Sequence, residues 1–406
     1  MIEGWREGMS KGFKQTEIGK IPDEWEIAAL GDSLVSNLIM GQSPSSASYN
    51  SNGIGLPFFQ GKADFGTKHP RVRQWCSEPI KIAETKDVLL SVRAPVGDVN
   101  ISDTKCCIGR GLAAIRFNYP RMSHRFGYYY LQKQKTFIES FGTGTIFKSI
   151  NKTSLSAIPV PLPPLPEQKK IATVLFKLQK AIEIQDNILK TLRDLKKSTM
   201  HRLFSYGLKG EKRKKTEIGL IPGGWEVKPF LDFIELHRGY DLPVQLRNEG
   251  SVPIIGSNGI VGYHNESKLK APGVLTGRSG TIGLSFYVEQ DYWALNTSLY
   301  VSDFKGNHPR HVHYYFQIFN WDKYSAGVSV PTMNRNLVHS VLIPIPPLPE
   351  QTEIANILQT IDHKIEVHEG KKASYQDLFK TMLNKLMTGT IRVNELDIDT
   401  SEVEAA

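Results

Sequence analysis

Cysteine is scarce in this chain: Cys76, Cys106 and Cys107 are the only three among 406 residues. Their spacing suits neither a zinc site nor a disulfide framework, so they are read as ordinary small residues of a protein in a reducing compartment. No apolar run approaches the roughly 20 residues of a membrane span. The first residues, MIEGWREGMSKGFKQ, show no apolar segment behind a basic one, so no secretory signal is expected, no membrane partner, and a cytoplasmic location.

Motifs that carry chemistry are also missing. GLPFFQGK, Gly55 to Lys62, puts five residues between its glycines and is followed by Ala63, where a phosphate-binding loop needs four and then Ser or Thr. FGTGTIF, from Phe141, lacks the strand-to-helix context of a dinucleotide fingerprint and reads as a loop. There is no Asn-Pro-Pro-Tyr motif of the kind that amino-methyltransferases use to bind a base. His308, His311 and His313 cluster without a matching carboxylate or cysteine pattern, so no metal site and no catalytic residue is assigned. What the chain has in excess is basic charge, 50 Lys and Arg against 41 Asp and Glu for a net +9, which favours an anionic partner, nucleic acid before membrane.

The other abundance is repetition. PLPPLPEQKKIA at Pro161 returns as PIPPLPEQTEIA at Pro344, 183 residues on (344 − 161). TEIGKIPDEWEI at Thr16 matches TEIGLIPGGWEV at Thr216, and LKKSTMHRLFSYG at Leu195 parallels LFKTMLNKLMTG at Leu378. Each half therefore reads as an opening motif, a variable region, a proline phrase and a long helix. Weak echoes survive in the variable regions, DVLLSVRAPVG against GVLTGRSGTIG, GLAAIRF from Gly111 against SLYVSDF from Ser298, and SINK against TMNR. Short β-rich runs between Gly, Pro, Asn and Ser clusters make each variable region mainly β, with one short aromatic helix whose Tyr and Phe belong to the core.

Behind each proline phrase a seven-residue pattern can be followed. It runs through Ile171, Leu175, Leu178, Ile182, Gln185, Leu189, Leu192, Lys196, Thr199 and Leu203, then through Ile354, Leu358, Ile361, Ile365, His368, Lys372, Tyr375, Phe379, Met382 and Leu386. Two such stripes in one chain predict an antiparallel two-helix coiled coil, each helix about 36 residues or ~54 Å long. The prolines favour an extended approach, Pro166 suits the first turn, and Glu167 faces the positive end of the helix dipole. A proline-docking role for PLPPLP is the competing reading. The expected fold is α+β, two globular mainly β domains joined by a long antiparallel coiled coil in a pseudo-two-fold repeat. The boundaries are 1–158 for the first domain with its opening segment, 159–206 for its helix, 207–341 for a linker and the second domain, 342–392 for its helix, and 393–406 for an acidic tail.

The doubled PLPPLPEQ and PIPPLPEQ phrases, the doubled TEIG-x-IP-x-x-W segments and the divergent regions between them resemble the DNA specificity (S) subunit of type I restriction-modification enzymes, over almost the whole chain. The resemblance implies two target recognition domains, each reading one half of a bipartite, asymmetric site in double-stranded DNA. It implies helices that space them and bind two methyltransferase (M) subunits, with restriction (R) subunits completing the nuclease. S-adenosylmethionine, ATP and magnesium are then expected only on those partners, with no cofactor on this non-catalytic chain. A coiled-coil adaptor, or a self-contained methyltransferase or nuclease with an unrecognised site, is the alternative.

Groove reading needs Arg or Lys for phosphate and guanine, and Asn or Gln for adenine. The candidates in the first domain are Gln42 and Ser43 in GQSPSS, Lys62, the basic set Lys68, Arg71 and Arg73, then Arg93, Lys148, Asn151 and Lys152. In the second they are Arg238, Asn258, Arg278, Asn334 and Arg335. Contacts that read different bases should differ between domains and shared ones should grip phosphate. The Asn151/Lys152 and Asn334/Arg335 pairs are therefore assigned to the backbone, and Gln42, Arg93, Arg238, Asn258 and Arg278 to bases.

Overall fold

The computed structural model describes residues 12–141, 149–326 and 332–401. The chain divides into two compact units, Met1–Ile184 with Lys371–Ala406, and Gln185–Gly370. Both long helices, Leu165–Tyr206 and Leu348–Met387, are thus shared between units rather than forming segments of their own. The reason lies in their stripes. Ile171 and Leu175 join Leu386 and Met387 in the core of the first unit, whereas Met200 and Leu203 join Ile354 and Leu358 in that of the second.

Every residue of the predicted seam is buried or half-buried. Its direction is antiparallel, since partners run in opposite order within the second unit: Gln185 Oε1 lies 2.7 Å from His368 Nδ1, and Lys196 Nζ 2.7 Å from Asp362 Oδ1.

Each unit is built on a four-stranded antiparallel sheet. In the first its order is Val99–Ile101, Val88–Ser91, Leu112–Phe117 and Ser36–Met40; in the second, Glu235–Arg238, Ser298–Asp303, Gly273–Gly277 and Ser285–Val288. Strand alternation divides the side chains between two cores. Val88, Leu90, Ala113 and Ile115 face the helices, while Leu89, Leu112 and Ala114 face a smaller sheet. Val274, Leu299 and Val301 against Leu275 and Tyr300 repeat the pattern. The aromatic helices are His124–Lys133 and Pro309–Ile318, and Tyr128, Tyr129, Tyr130, Tyr314, Tyr315 and Phe316 are core residues as expected.

The repeated phrases meet in space. Pro159–Leu162 pairs antiparallel with Glu26–Ala29, and Leu342–Ile345 with Glu226–Pro229. The glutamate that follows accepts from the tryptophan of the opening motif, Trp25 Nε1 to Glu167 Oε2 and Trp225 Nε1 to Glu350 Oε2, both at 3.1 Å. The glutamine secures the aromatic helix: Gln168 Oε1 accepts from Ser123 N and Gln351 Oε1 from His308 N, each at 2.9 Å. The phrase is an internal clamp: its strand is paired within its own unit in both copies, buried throughout in the first and half-buried for the most part in the second.

Two further expectations change. The expected linker, basic from Lys209 to Lys215, is partly strand, because Arg213–Thr216 forms a hairpin with Gly219–Pro222, as Phe13–Thr16 does with Gly19–Pro22. The acidic ending does not behave as a tail through its described residues. Val393 is 1% exposed in the first core, Ile391 and Ile398 pack against it, and Lys170 Nζ donates to Asn394 O at 2.8 Å. Apolar residues set among the acids hold the segment down.

Candidate nucleic-acid interface

In the second unit, the end of strand Glu235–Arg238, the residue after strand Gly273–Gly277 and the start of the short helix Arg335–His339 converge. They line a groove of about 740 Å³ with His237, Arg238, Arg278, Asn334, Arg335 and Asn336, and no carboxylate is among its lining residues. Four of the five sequence candidates of this half meet here. His237 and Asn336 join them through the fold, each a sequence neighbour of an arginine in the groove.

Each arginine is tethered by part of its donor fork. Arg335 Nη1 donates to Leu236 O at 3.0 Å, Arg278 Nη1 to Asn296 O at 3.3 Å, and Arg238 Nη2 to Asp241 Oδ1 at 3.3 Å. A guanidinium has five N–H donors, so donors remain for an anion in the groove and the heads are already oriented. Behind Arg335, His339 Nε2 accepts from Leu236 N at 3.0 Å. Burial and the Arg335 charge lower its pKa, which keeps the ring neutral and able to accept.

The recurring asparagines have a structural task. Asn151 Oδ1 accepts from Ser154 N at 2.8 Å and Asn334 Oδ1 from Asn336 N at 3.0 Å, each capping a short helix. Their recurrence at a common offset therefore has a structural reason in the Oδ1 atoms, while Nδ2 is the donor that the expected phosphate contact would use. Lys152 and Arg335 begin those helices; Lys152 is exposed.

The first unit does not gather its candidates in this way. Gln42 and Arg93 are exposed, and Ser43 Oγ accepts from Arg110 N at 3.2 Å. Lys62 pairs with Asp98 at 2.7 Å. Lys68 turns from the expected basic set to lie 4.8 Å from the Phe176 ring centroid, half-buried and with its pKa lowered by that burial, while Arg71 and Arg73 are exposed. Lys148 lies outside the described residues. Arg110, exposed beside Ser43, is an addition that only the fold reveals.

Ladder positions equate the units. Arg278 N donates to Thr297 O and Val92 N to Gly111 O, so Arg278 matches Val92; likewise Gly239 matches Gly41, placing Arg238 opposite Met40. The same frame carries three arginines in one unit and Met40, Val92 and Lys152 in the other. The candidate histidines are absorbed by structure: His308 caps its helix, His311 is fully buried, and His313 Nδ1 lies 2.8 Å from Ser285 Oγ. The cysteines are free and buried, with burial raising the Cys106 thiol to about 12 and Cys107 to about 11. Among the described residues no helix is long and apolar enough to cross a membrane.

A doubled β scaffold with a cationic groove in one unit suits a protein that binds an anionic partner, and similarity to known proteins makes the class specific. The family model of the type I restriction modification DNA specificity domain matches residues 22–194 and 222–374. A MjaX type I restriction enzyme specificity subunit of Methanocaldococcus jannaschii is 47% identical over 206 residues, 51% of this chain and 48% of that relative. The MjaVIII specificity subunit of the same organism is 23% identical across 95% of this chain and 97% of its own. The crystal structure of a type I restriction-modification S subunit from M. genitalium has a TM-score of 0.65 at 17% identity, covering 89% of this chain and 96% of that one, and shares the fold. The chain belongs to the type I restriction-modification DNA specificity family, a non-catalytic subunit whose task is DNA sequence recognition.

Proposed function

We propose that the two units read the unlike halves of a bipartite, asymmetric site in double-stranded DNA. The chain docks two M subunits through its two long helices, and R subunits join the complete assembly. The observation that carries this reading is one scaffold used twice with different residues at equivalent positions, cationic at Arg238, Arg278 and Arg335 in one unit and not at Met40 and Val92 in the other. In the second unit we reassign Arg238 and Arg278 from the base contacts expected of them to phosphate, together with Arg335, because the three line one groove with no carboxylate among its lining residues. In the first, we assign Lys152, Arg71, Arg73, Arg93 and Arg110, each exposed, to DNA. S-adenosylmethionine, ATP and magnesium act on the partner subunits in the cytoplasm, and this chain holds no cofactor.

The test is to co-express the chain with its methyltransferase subunit and map modified bases across the host DNA by single-molecule sequencing. A split motif with two unlike halves and a fixed gap is expected; an active complex that methylates no motif would sink the proposal. Within that complex, Arg278→Ala and Arg335→Ala should each weaken binding across all sequences and reduce the slope of log affinity against log salt by about 1. An unchanged slope would remove the groove from the interface.

A further inference from the structure

We propose that the hairpin formed by Val252–Gly256 and Gly259–His264 reads the major groove, with Ile260 and Val261 packing on thymine methyl groups and Asn258 at its tip. This rests on the function proposed above and adds Ile260 and Val261 as specificity-determining residues.

Three observations lead there. The strand Gly259–His264 is the outer strand of a three-stranded sheet, yet Ile260 is 58%, Val261 45% and Tyr263 52% exposed. The sequence GIVGYH has none of the lysines or acids that usually protect an open edge. In the first unit the matching strand, Trp75–Cys76, is covered by Tyr49–Asn50. Exposed apolar side chains so grouped mark a contact surface.

The pairing is also interrupted. Ile254 faces Gly262 and Ile255 faces Ile260, so Val261 is the extra residue of a bulge. Bulges re-aim side chains at sheet edges.

The hairpin adjoins the arginine groove. A Cβ on Gly277 would lie 3.2 Å from Ser257 O, and one on Gly280 3.7 Å from Ser257 Oγ. That same Gly277–Gly280 turn carries Arg278, a wall of the groove. An apolar, two-stranded ribbon beside three arginines fits duplex DNA: the cations engage phosphates, the major groove admits a β-ribbon, and thymine offers a methyl there. A protein partner would have to bring carboxylates to meet the adjoining arginines, whereas duplex DNA supplies a phosphate beside every base.

The test compares wild type with the double variant Ile260→Ser/Val261→Ser, both co-expressed as full chains with the methyltransferase subunit. Both sites are exposed, so folding should be kept. Base mapping should show one half-site relaxed at its thymine positions and the other half unaltered. In binding assays, replacing any one of those thymines by uracil should weaken the wild-type complex about four-fold, the worth of one buried methyl, and leave the variant unaffected. A motif unmoved by the double substitution, a half-site without thymine, or an equal uracil penalty in both proteins overturns the inference. Weakened co-purification of the subunits, with the remaining methylation at the wild-type motif, also overturns it, because the patch is then a protein contact. A wild-type complex that methylates no split motif removes the proposed function and this inference together, whereas a wild-type motif that the variant leaves unchanged removes the inference alone.

Discussion

Glu167 and Glu350 occupy the same place in the two units and are satisfied differently. Both are buried and both accept from a tryptophan indole. Glu167 also takes a bidentate pair from Arg392, with Nε at 2.6 Å and Nη2 at 2.9 Å, and that arginine reaches Glu24 as well. Glu350 instead accepts Leu208 N at 2.8 Å. A charge in one unit does the work of a backbone N–H in the other. The clamp therefore requires a satisfied carboxylate, and where the partner comes from is free to vary.

The comparison can be broken most strongly at that point. Glu167→Ala leaves half-buried Arg392 with Glu24 as its remaining carboxylate and the Trp25 indole unpaired, and should cost about 2–4 kcal/mol. Glu350→Ala leaves only neutral donors unsatisfied and should cost about 1–3 kcal/mol. Urea denaturation of the full chain measures both, and equal losses would show that the Arg392 pair adds nothing beyond the hydrogen bonds.

Acid should separate the units next. His311 and His313 in the second unit and His124 in the first are held neutral by burial, with pKa values lowered from 6.5 to about 3, 4 and 4. Below 6.5 the unfolded chain takes up protons that these folded groups refuse. Stability is therefore whole above that value and falls as pH drops, until the folded groups themselves titrate. At pH 5 each costs about 2 kcal/mol, so the second unit, with two such groups, should open first in hydrogen exchange. Neither ring nitrogen of His311 has a partner. Counting from the anchored residues Ser123 and His308, its counterpart is Phe126. His311→Phe should remove about 2 kcal/mol of the acid sensitivity at pH 5 and leave neutral-pH stability nearly unchanged; an unaltered acid profile would contradict this assignment.

How much of this was legible depended on sequence distance. The seam from Ile171 to Leu203 could be read because heptad periodicity is local, and the clamp could be suspected because the phrases recur. Its partners could not be read, since Trp25 meets Glu167 across 142 residues and Arg392 meets it across 225. The asparagine pairs recurred for a reason that looks identical in sequence to phosphate binding, namely a side-chain oxygen at a helix start. The echo of GLAAIRF with SLYVSDF was seen one residue out of register: Leu112 pairs with Ser91 and Ser298 with Gly277. Ladder hydrogen bonds fix that register, and side-chain likeness does not. Of the candidate site, the second unit's arginines were chosen by residue type, but their convergence needed three chain segments brought together by the sheet.

The smallest expected effect concerns the second residue of each aromatic helix. Arg310 Nη2 lies 2.5 Å from Glu289 Oε1, and its guanidinium sits 4.0 Å from the Tyr287 ring centroid. Arg125 holds the same position but is buried with Nε unpartnered, over Phe176 at 5.1 Å, with Lys68 over the same ring. Burial lowers the pKa of Arg125 and the nearby Lys68, so neither gains from its charge. Arg310→Met gives up a stacked cation and a pair whose carboxylate is mostly in water, about 0.5–1 kcal/mol. Arg125→Met keeps the apolar stem and removes an uncompensated charge, so it should be neutral or stabilising by up to about 1 kcal/mol. Opposite signs in thermal denaturation would mean that only the second unit uses this arginine for stability. A loss at Arg125 as large as at Arg310 would mean that stacking on Phe176 outweighs desolvation.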